Sequence, residues 1–411
     1  MSDHYDDLET RAPEAREQAL FDALRAQLRD IATRAPKLHA LLGGPDADAV
    51  TGRDALAKLP VLRKSALVEM QKADPPFGGL TTRPAAEFDY IFQSPGPIYE
   101  PGMSTPDWWR FARAFHAAGL RGPDIVHNSF AYHLTPAGEM LANAARALGC
   151  TVVAGGVGNT EAQVNVAADV RATAYVGTPD FLKMMLDKAA ELGRDLSSIR
   201  RAWVSGGPLF PSLRQEYADR GIPVRQGYAT ADVGSIAFET EAMEGMVVDE
   251  GVILEIVRPG TGTPVPEGEV GEVLVTALNA DYPLVRFATG DMSAVLPGPC
   301  PTGRTNMRIK GWMGRADQTT KVKGMFVRPE QVAEVVSRHP EIVKARLTVT
   351  RAGEQDAMTL AVETATPSPD LAARIAETLQ SVVKLRGEVE CDIPGSLPND
   401  GKVIDDIRKF D

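Results

Sequence analysis

The sequence has no long hydrophobic run. None of its apolar stretches reaches the roughly 18 residues of a membrane-spanning helix, so no membrane partner is expected. Metal-binding pairs are missing too. The six histidines, at positions 4, 39, 116, 127, 133 and 339, include no His-x-x-x-His. Cys150, Cys300 and Cys391 stand too far apart for a Cys-x-x-Cys knuckle. A dedicated transition-metal site is therefore not expected, and three scattered cysteines fit a reducing compartment. The opening Met-Ser-Asp-His-Tyr-Asp-Asp lacks the basic flank and apolar block of a signal peptide, so a cytoplasmic location is expected. An excess of positive charge is also lacking. The net charge of −11 speaks against a polyanion-binding surface and so against nucleic acid, while a local basic pocket stays open. There is no internal repeat and no low-complexity tract.

What the chain holds is ordinary globular material: 411 residues, 44% hydrophobic and 24% charged. At about 150 residues per domain, that length suggests two or three domains. Leu20, Leu24, Leu28 and Ile31 recur at helical spacing, and residues 1–85 read as a helical lead-in. From about 125 to 225, short apolar runs alternate with helical patterns. Strands are predicted at 125–128, 151–154, 173–177 and 201–205, and helices at 137–148, 160–170, 179–192 and 211–219. Thr178-Pro179 marks a helix start, a hydroxyl cap followed by proline. This alternation means βαβ units and a parallel sheet, with ligand-bearing loops after the strands. Residues 252–257 and 271–277 read as a hairpin with a Gly/Pro-rich tip. After Arg315 the pattern restarts: helix 329–338, strands 344–350 and 357–363, helix 369–384 and a last strand near 387–391. The tail, 394–411, has no clear periodicity. The expected fold class is α/β. A large domain, 1–314, carries the parallel sheet and a β-rich subdomain, and a small α+β domain follows over 315–411, with the boundary near 314–317.

Four stretches, in one order, carry candidate chemistry. The first is Phe92-Gln93-Ser94-Pro95-Gly96-Pro97-Ile98-Tyr99. In the second, Ser205-Gly206-Gly207-Pro208 precedes Gly227-Tyr228-Ala229-Thr230-Ala231-Asp232. The third runs from Tyr282 to Arg286-Phe287-Ala288-Thr289-Gly290-Asp291. In the fourth, Gly314-Arg315-Ala316-Asp317 precedes Lys321-Val322-Lys323-Gly324, with Asp400-Gly401-Lys402 near the end. Taken singly, each has a plain structural reading. Thr-Gly-Asp makes β-turns, Tyr228 suits a core, Asp232 a helix cap, residues 94–97 a linker, and Arg315 and Lys402 a wet surface. Each also has a chemical reading. An Asp past a tight turn can accept hydrogen bonds from two neighbouring hydroxyls. A tyrosine face stacks on a planar base, small residues admit a ring close to the backbone, and a carboxylate suits a hard cation. Phe130 and Tyr132 alternate past a predicted strand, so they share a face if the segment stays extended. Phe130 reads equally as core, whereas Tyr132 and His133 put two polar tips in a row.

In this order the motifs resemble those of the adenylate-forming, AMP-binding enzymes. They are most similar to the phenylacetate–CoA ligase branch of aryl-CoA ligases, over roughly residues 85–411. The resemblance implies an ATP-dependent carboxylic acid–CoA ligase for an aryl or arylacetic acid, working through an acyl-adenylate. ATP, Mg²⁺ and coenzyme A are the implied cofactors, and a small-molecule acid the partner. Asp291 and Arg315 match residues on the ribose. Tyr228, with Gly227 and Ala229 beside it, matches the adenine stack, and Ser205, Gly206, Gly207 and Pro208 the opposite wall. Asp232 and Lys402 match the catalytic charges. Asp232 stands for a Mg²⁺-holding Glu one carbon longer, and Lys402 for a lysine of a mobile small domain. Ser94 and Gly96 match the phosphate loop, and Phe130, Tyr132 and His133 the acid pocket. Asp317 matches the hinge, and Lys321, Lys323 and Gly324 the loop serving coenzyme A. Two departures stand out. Ala231 replaces the family's threonine, and the loop usually written Ser-Ser-Gly-Thr-Thr-Gly has lost both threonines and gained two prolines, which removes N–H donors. Two alternatives therefore stay open: an adenylating enzyme with another acceptor, a carrier-protein thiol or an amine, and a non-catalytic nucleotide- or acyl-CoA-binding homologue. A homodimer is left open.

Overall fold

The computed structural model describes residues 4–207, 209–316, 318, 320–323, 325–352, 355–398 and 402–408, without the side chains of 321, 326, 352 and 355. The chain divides into two compact units. One takes Met1–Leu254, Val275–Phe287 and Leu296–Gly311; the other takes Glu255–Leu274, Ala288–Val295 and Trp312–Asp411.

The first unit opens with the helix Pro13–Arg34, whose buried stripe is Leu20, Phe21, Leu24, Leu28 and Ile31. Proline fits its first turn because the missing N–H has no intrahelical partner there. The same helix buries Arg16, whose Nε stands 2.9 Å from Glu250 Oε2, and Arg11 reaches the same oxygen at 2.8 Å. Charges taken out of water in this way persist because they are paired.

A nine-stranded sheet forms the centre. Five of its strands are parallel, in the spatial order Thr151–Ala154, Ile125–Asn128, Ala174–Gly177, Ala202–Val204, Val224–Thr230. Gly234–Phe238, Met246–Val248 and Arg308–Ile309 continue it antiparallel. Trp203 packs on one face with Phe111, Phe115, Met140 and Leu141. Its neighbours Ala202 and Val204 pack on the other with Leu182, Met185 and Tyr217. Both faces are covered, which is why these strands read as continuous apolar runs. The strand order reverses between Ile125–Asn128 and Ala174–Gly177, and such a reversal leaves a crevice past the carboxyl ends. The helix Pro179–Leu192 starts with proline as expected. The Thr178 hydroxyl makes no capping bond, however, so the preset φ of proline starts the helix.

Val252–Val257 and Gly271–Ala277 are neighbours, as the hairpin reading requires, and Phe287–Ser293 flanks the latter. In the second unit, the helices Pro329–Ser337 and Pro369–Val383 share a core with a four-stranded sheet. Its order is Glu388–Asp392, Gln355–Thr364, Ile342–Ala352, Ile404–Asp406. Leu371, Ile375, Leu379 and Val383 form the buried i, i+4 stripe, and Ser368 Oγ caps the helix by accepting from Leu371 N at 3.2 Å. The tail corrects the sequence reading. Ile404–Asp406 is a strand, parallel to Ile342–Ala352, with Ile404 opposite Leu347. Three residues with one core-facing side chain are too few to show a period.

Candidate functional site

In the first unit an apolar cavity of about 230 Å³ is walled by Phe111, Phe130, Met140, Leu141, Trp203 and Ala229. Ser94, Ser205 and Gly206 also line it, and among the described residues no charged side chain does. Two glycines shape this region. Gly206 has φ +73°, and a Cβ there would stand 3.3 Å from the Phe130 ring. At Gly227 a Cβ would fall 2.3 Å from Trp203 Cζ2. Ser205 Oγ donates to Gly227 O at 2.9 Å, joining the end of one strand to the middle of its neighbour. Tyr228 is buried in its strand opposite Ala237. Gly207 packs beside Pro179, and Pro208 lies outside the described residues.

Of the three residues expected at an acid pocket, Phe130 alone lines the cavity. Asn128 is the reason. Its Oδ1 accepts from Phe130 N at 3.1 Å and its Nδ2 donates to the Tyr132 hydroxyl at 2.8 Å, so the chain turns instead of running on extended. Tyr132 packs against Gly138, and burial pushes its hydroxyl up to about 12. His133 is exposed.

Tyr90–Ser94 pairs antiparallel with Ile98–Gly102, Ser94 opposite Ile98, so Pro95-Gly96-Pro97 is a hairpin tip. Both donors of Ser94 go to one carboxylate. Its amide donates to Glu100 Oε2 at 3.1 Å and its hydroxyl to Glu100 Oε1. Glu100 is 1% exposed. Desolvation pushes its carboxyl up to about 7; the Ser94 bonds and Lys64 oppose the rise, and Asp232 adds to it. Sequence reasoning missed Glu100. The signal was there: it sits between Ile98 and Gly102 in a strand that is mostly buried, where a glutamate is out of place.

Asp232 follows the strand Val224–Thr230. Its side chain is wholly buried, and Oδ2 accepts from Lys64 Nζ at 2.6 Å. Its Oδ1 is buried without a hydrogen-bond partner, as is the Tyr282 hydroxyl. Burial, then the charges of Asp232 and Glu100, hold that hydroxyl well above the usual tyrosine range. A bare buried carboxylate oxygen is the donor a hard divalent cation takes, so Asp232 fits Mg²⁺ by its chemistry. Lys64, like Glu100, was not singled out from the sequence, and Tyr282 opened the third motif without a role.

The second unit brings Asp291 and Arg315 together. Arg315 Nη1 stands 2.9 Å from Asp291 Oδ1, and the two backbones form an antiparallel bridge. Trp312 Nε1, unforeseen, donates to the same oxygen at 3.1 Å. Asp291 does not follow a tight turn, as the sequence reading had it. It lies inside the strand Phe287–Ser293, after Gly290 at φ +76°, where a Cβ would meet Arg315 Nη2 at 2.8 Å. A side chain there would crowd the guanidinium, and the positive φ itself favours glycine. Lys402 Nζ pairs with Asp405 Oδ1 at 2.7 Å. Lys323, at φ +48°, donates its amide to Asp356 Oδ2 at 2.9 Å, and the Lys321 backbone lies in the strand Thr320–Val322. Asp317, Gly324, Asp400 and Gly401 lie outside the described residues.

A family model described as AMP-binding enzyme matches residues 129–279. The chain is 29% identical to the phenylacetate–coenzyme A ligase of Thermus thermophilus over 380 residues, 88% of this chain and 84% of that protein. Identity to the phenylacetate–coenzyme A ligase of Escherichia coli K12 is 30% over 319 residues, 73% of this chain and 72% of that one. A crystal structure of 2-hydroxyisobutyryl-CoA ligase with 2-HIB-AMP and CoA matches with a TM-score of 0.72 at 21% identity, covering 99% of this chain and 93% of that chain. This last likeness concerns the fold.

Proposed function

The chain belongs to the phenylacetate–CoA ligase branch of the AMP-binding enzymes, AMP-forming ligases of an acid and coenzyme A, and we propose that the acid it takes is an aryl or arylacetic one. The cavity carries this reading. It is uncharged and walled by Phe111, Phe130 and Trp203, with Met140 and Leu141 filling between them. Aromatic walls favour a ring over a flexible chain, because ring edges and faces attract and little rotamer freedom is lost. A cavity of about 150 Å³ already holds benzene, so about 230 Å³ takes a ring with a short carboxylate arm.

The acid's carboxylate attacks the α-phosphorus of ATP, acyl-AMP forms and pyrophosphate leaves. The ammonium of Lys402, on a flexible stem, offsets charge on the phosphate oxygens as it builds. Asp291 and Arg315 hold the ribose, Tyr228 stacks on the adenine, and Gly206 and Gly207 let the ring approach. Mg²⁺, when bound, neutralises phosphate charge, and Asp232 is the residue that would hold it. In the second step the thiol of coenzyme A attacks the acyl carbonyl and AMP leaves. Asp317 serves as the hinge between the steps, and Lys321, Lys323 and Gly324 as the loop of the second. The hairpin tip at Gly96 is a weak phosphate cradle. Its prolines lack N–H groups and Ser94's donors are spent on Glu100. The KM for ATP is therefore expected towards the upper end of the usual ~1 μM–1 mM.

Pyrophosphate and AMP release over a panel of aryl and alkyl acids, with and without coenzyme A, tests the reading. Aryl acids should give pyrophosphate, and sustained AMP release and thioester only with coenzyme A. Turnover with an amine or carrier thiol in its place would move the acceptor. No pyrophosphate with any acid, alongside tight AMP or acyl-CoA binding, would leave a binding protein.

A further inference from the structure

We propose that Glu100, reached through the Ser94 hydroxyl, takes the proton that the thiol of coenzyme A gives up when it attacks the acyl group. The proposal rests on the acid–CoA ligase reading above and adds a residue to it. A thiol near its ordinary pKa of ~8.5 is only a few per cent thiolate at neutral pH, so its attack is helped by a base. Among the described residues that line it, the cavity that would hold the acyl group has no base, since none carries a titratable side chain. Four hydroxyls line it: Ser94, Thr135, Ser205 and Thr230. Three of them lead nowhere useful. Ser205 donates to the carbonyl of Gly227, Thr135 to the carbonyl of Ala131, and Thr230 Oγ1 accepts from Val233 N. Ser94 alone among the four hands its hydrogen to a carboxylate, Glu100 Oε1.

The surroundings of that carboxylate suit the task. The Ser94 amide holds Oε2 at 3.1 Å, so the acceptor oxygen stays aimed at the hydroxyl. Glu100 is 1% exposed, so its carboxyl meets the cavity through the Ser94 hydroxyl. Burial, opposed by the Ser94 bonds and Lys64 and aided by Asp232, places its carboxyl at about 7, and the buried Tyr282 hydroxyl feels both Asp232 and Glu100. A base poised there is about half ionised at pH 7 and gives the proton up readily afterwards.

The step balances. The sulfur–carbon bond forms as the acyl carbon–oxygen bond of the mixed anhydride breaks, and AMP leaves as its anion. The S–H proton passes to Ser94 Oγ while the serine's own proton passes to Glu100 Oε1. Glu100 ends neutral, and its proton returns through the Ser94 hydroxyl to water that enters the cavity once the thioester has left.

The test supplies preformed aryl-adenylate and coenzyme A, and follows thioester formation from pH 6 to 9. Pyrophosphate release in the first half-reaction is the internal control. Wild type should level off above about pH 7. Glu100→Gln should be slower at pH 7 by the ~10²–10⁴-fold typical of a lost general base. Its rate should climb tenfold per pH unit towards the thiol's own pKa of ~8.5. Trifluoroethanethiol, a more acidic thiol, should narrow the gap between the two enzymes. Ser94→Ala, with Glu100 kept, should give the same rising profile, and it stands in if Glu100→Gln does not fold. A thioester-forming profile of Glu100→Gln or Ser94→Ala that levels off like wild type, or equal losses in both half-reactions of Glu100→Gln, would overturn the proposal alone. Wild type that adenylates but forms no CoA thioester would overturn the ligase reading itself.

Discussion

Asp291 concentrates three interactions on one carboxylate oxygen and its backbone. Arg315 and Trp312 reach Oδ1, and Arg315 bridges the main chain beside it. Arg315 is half exposed, so the pair itself adds little stability. Its use lies in aiming the carboxylate. Asp291→Ala should weaken ATP binding about 10- to 150-fold, the equivalent of one charge-assisted hydrogen bond at ~1.5–3 kcal/mol, while circular dichroism stays native. Unchanged affinity, measured by calorimetry, would remove the ribose assignment. Glu100 makes a different demand. Its folded carboxyl titrates at about 7, against an ordinary value of 4.5, because burial disfavours its charge. The native state therefore binds the proton more tightly than the unfolded chain. This contribution is fully present below pH 4.5 and is lost as the pH rises through about 7. Relative to Glu100→Gln, which carries no titratable group there, wild type should lose up to about 3 kcal/mol across that window. Urea titrations at pH 4.5, 6 and 7.5 measure it, and a pH-independent difference would mean the carboxyl is not perturbed.

At the scale of elements, the helices and parallel strands between 125 and 225 are legible in the sequence. Buried strands are short and uniformly apolar, whereas their helices are longer and carry stripes. The lead-in helix is legible through Leu20, Leu24, Leu28 and Ile31, yet its electrostatic anchor is not. Glu250 lies far along the chain, and nothing local marks it as the partner of Arg16. Arg16→Ala should cost about 3 kcal/mol, the low end for breaking a buried ion pair, because Arg11 still reaches Glu250. Thermal unfolding would read it, and a change under 0.5 kcal/mol would show the pair to be expendable. Gly227→Ala presses a methyl onto Trp203, itself wedged against Phe111 and Phe115. We expect a loss of about 1–3 kcal/mol from overpacking, with a larger KM for the acid than for ATP. The segment after Asn128 shows where element reasoning fails. Alternation places Phe130 and Tyr132 on one face only if the backbone stays extended, and a single asparagine side chain turns it. The hairpin tip fails in the other direction. Its prolines are readable as lost donors, but the carboxylate that takes up Ser94 comes from the returning strand.

At the scale of the whole molecule, the ordered motifs make the family legible well before any single site is. Family motifs record what the chemistry needs in common. They pass over Lys64 in the lead-in and Glu100 on a strand, whose meaning comes only from the buried charges beside them. The reaction, in turn, divides into steps. Lys402→Ala should cut acyl-adenylate formation by orders of magnitude while thioester formation from supplied adenylate survives, which two separate half-reaction assays would show. Equal losses in both would end that division of labour. The central claim, an aryl-accepting acid–CoA ligase, is tested most directly by one ratio. This is kcat/KM for CoA-dependent AMP release with phenylacetate over that with octanoate, two acids of equal carbon number that differ in having a ring. The aromatic cavity wall calls for a ratio above about 10, on the order of the 1–3 kcal/mol that pocket complementarity supplies; a ratio of one or less, or no CoA-dependent release with either acid, would contradict the account.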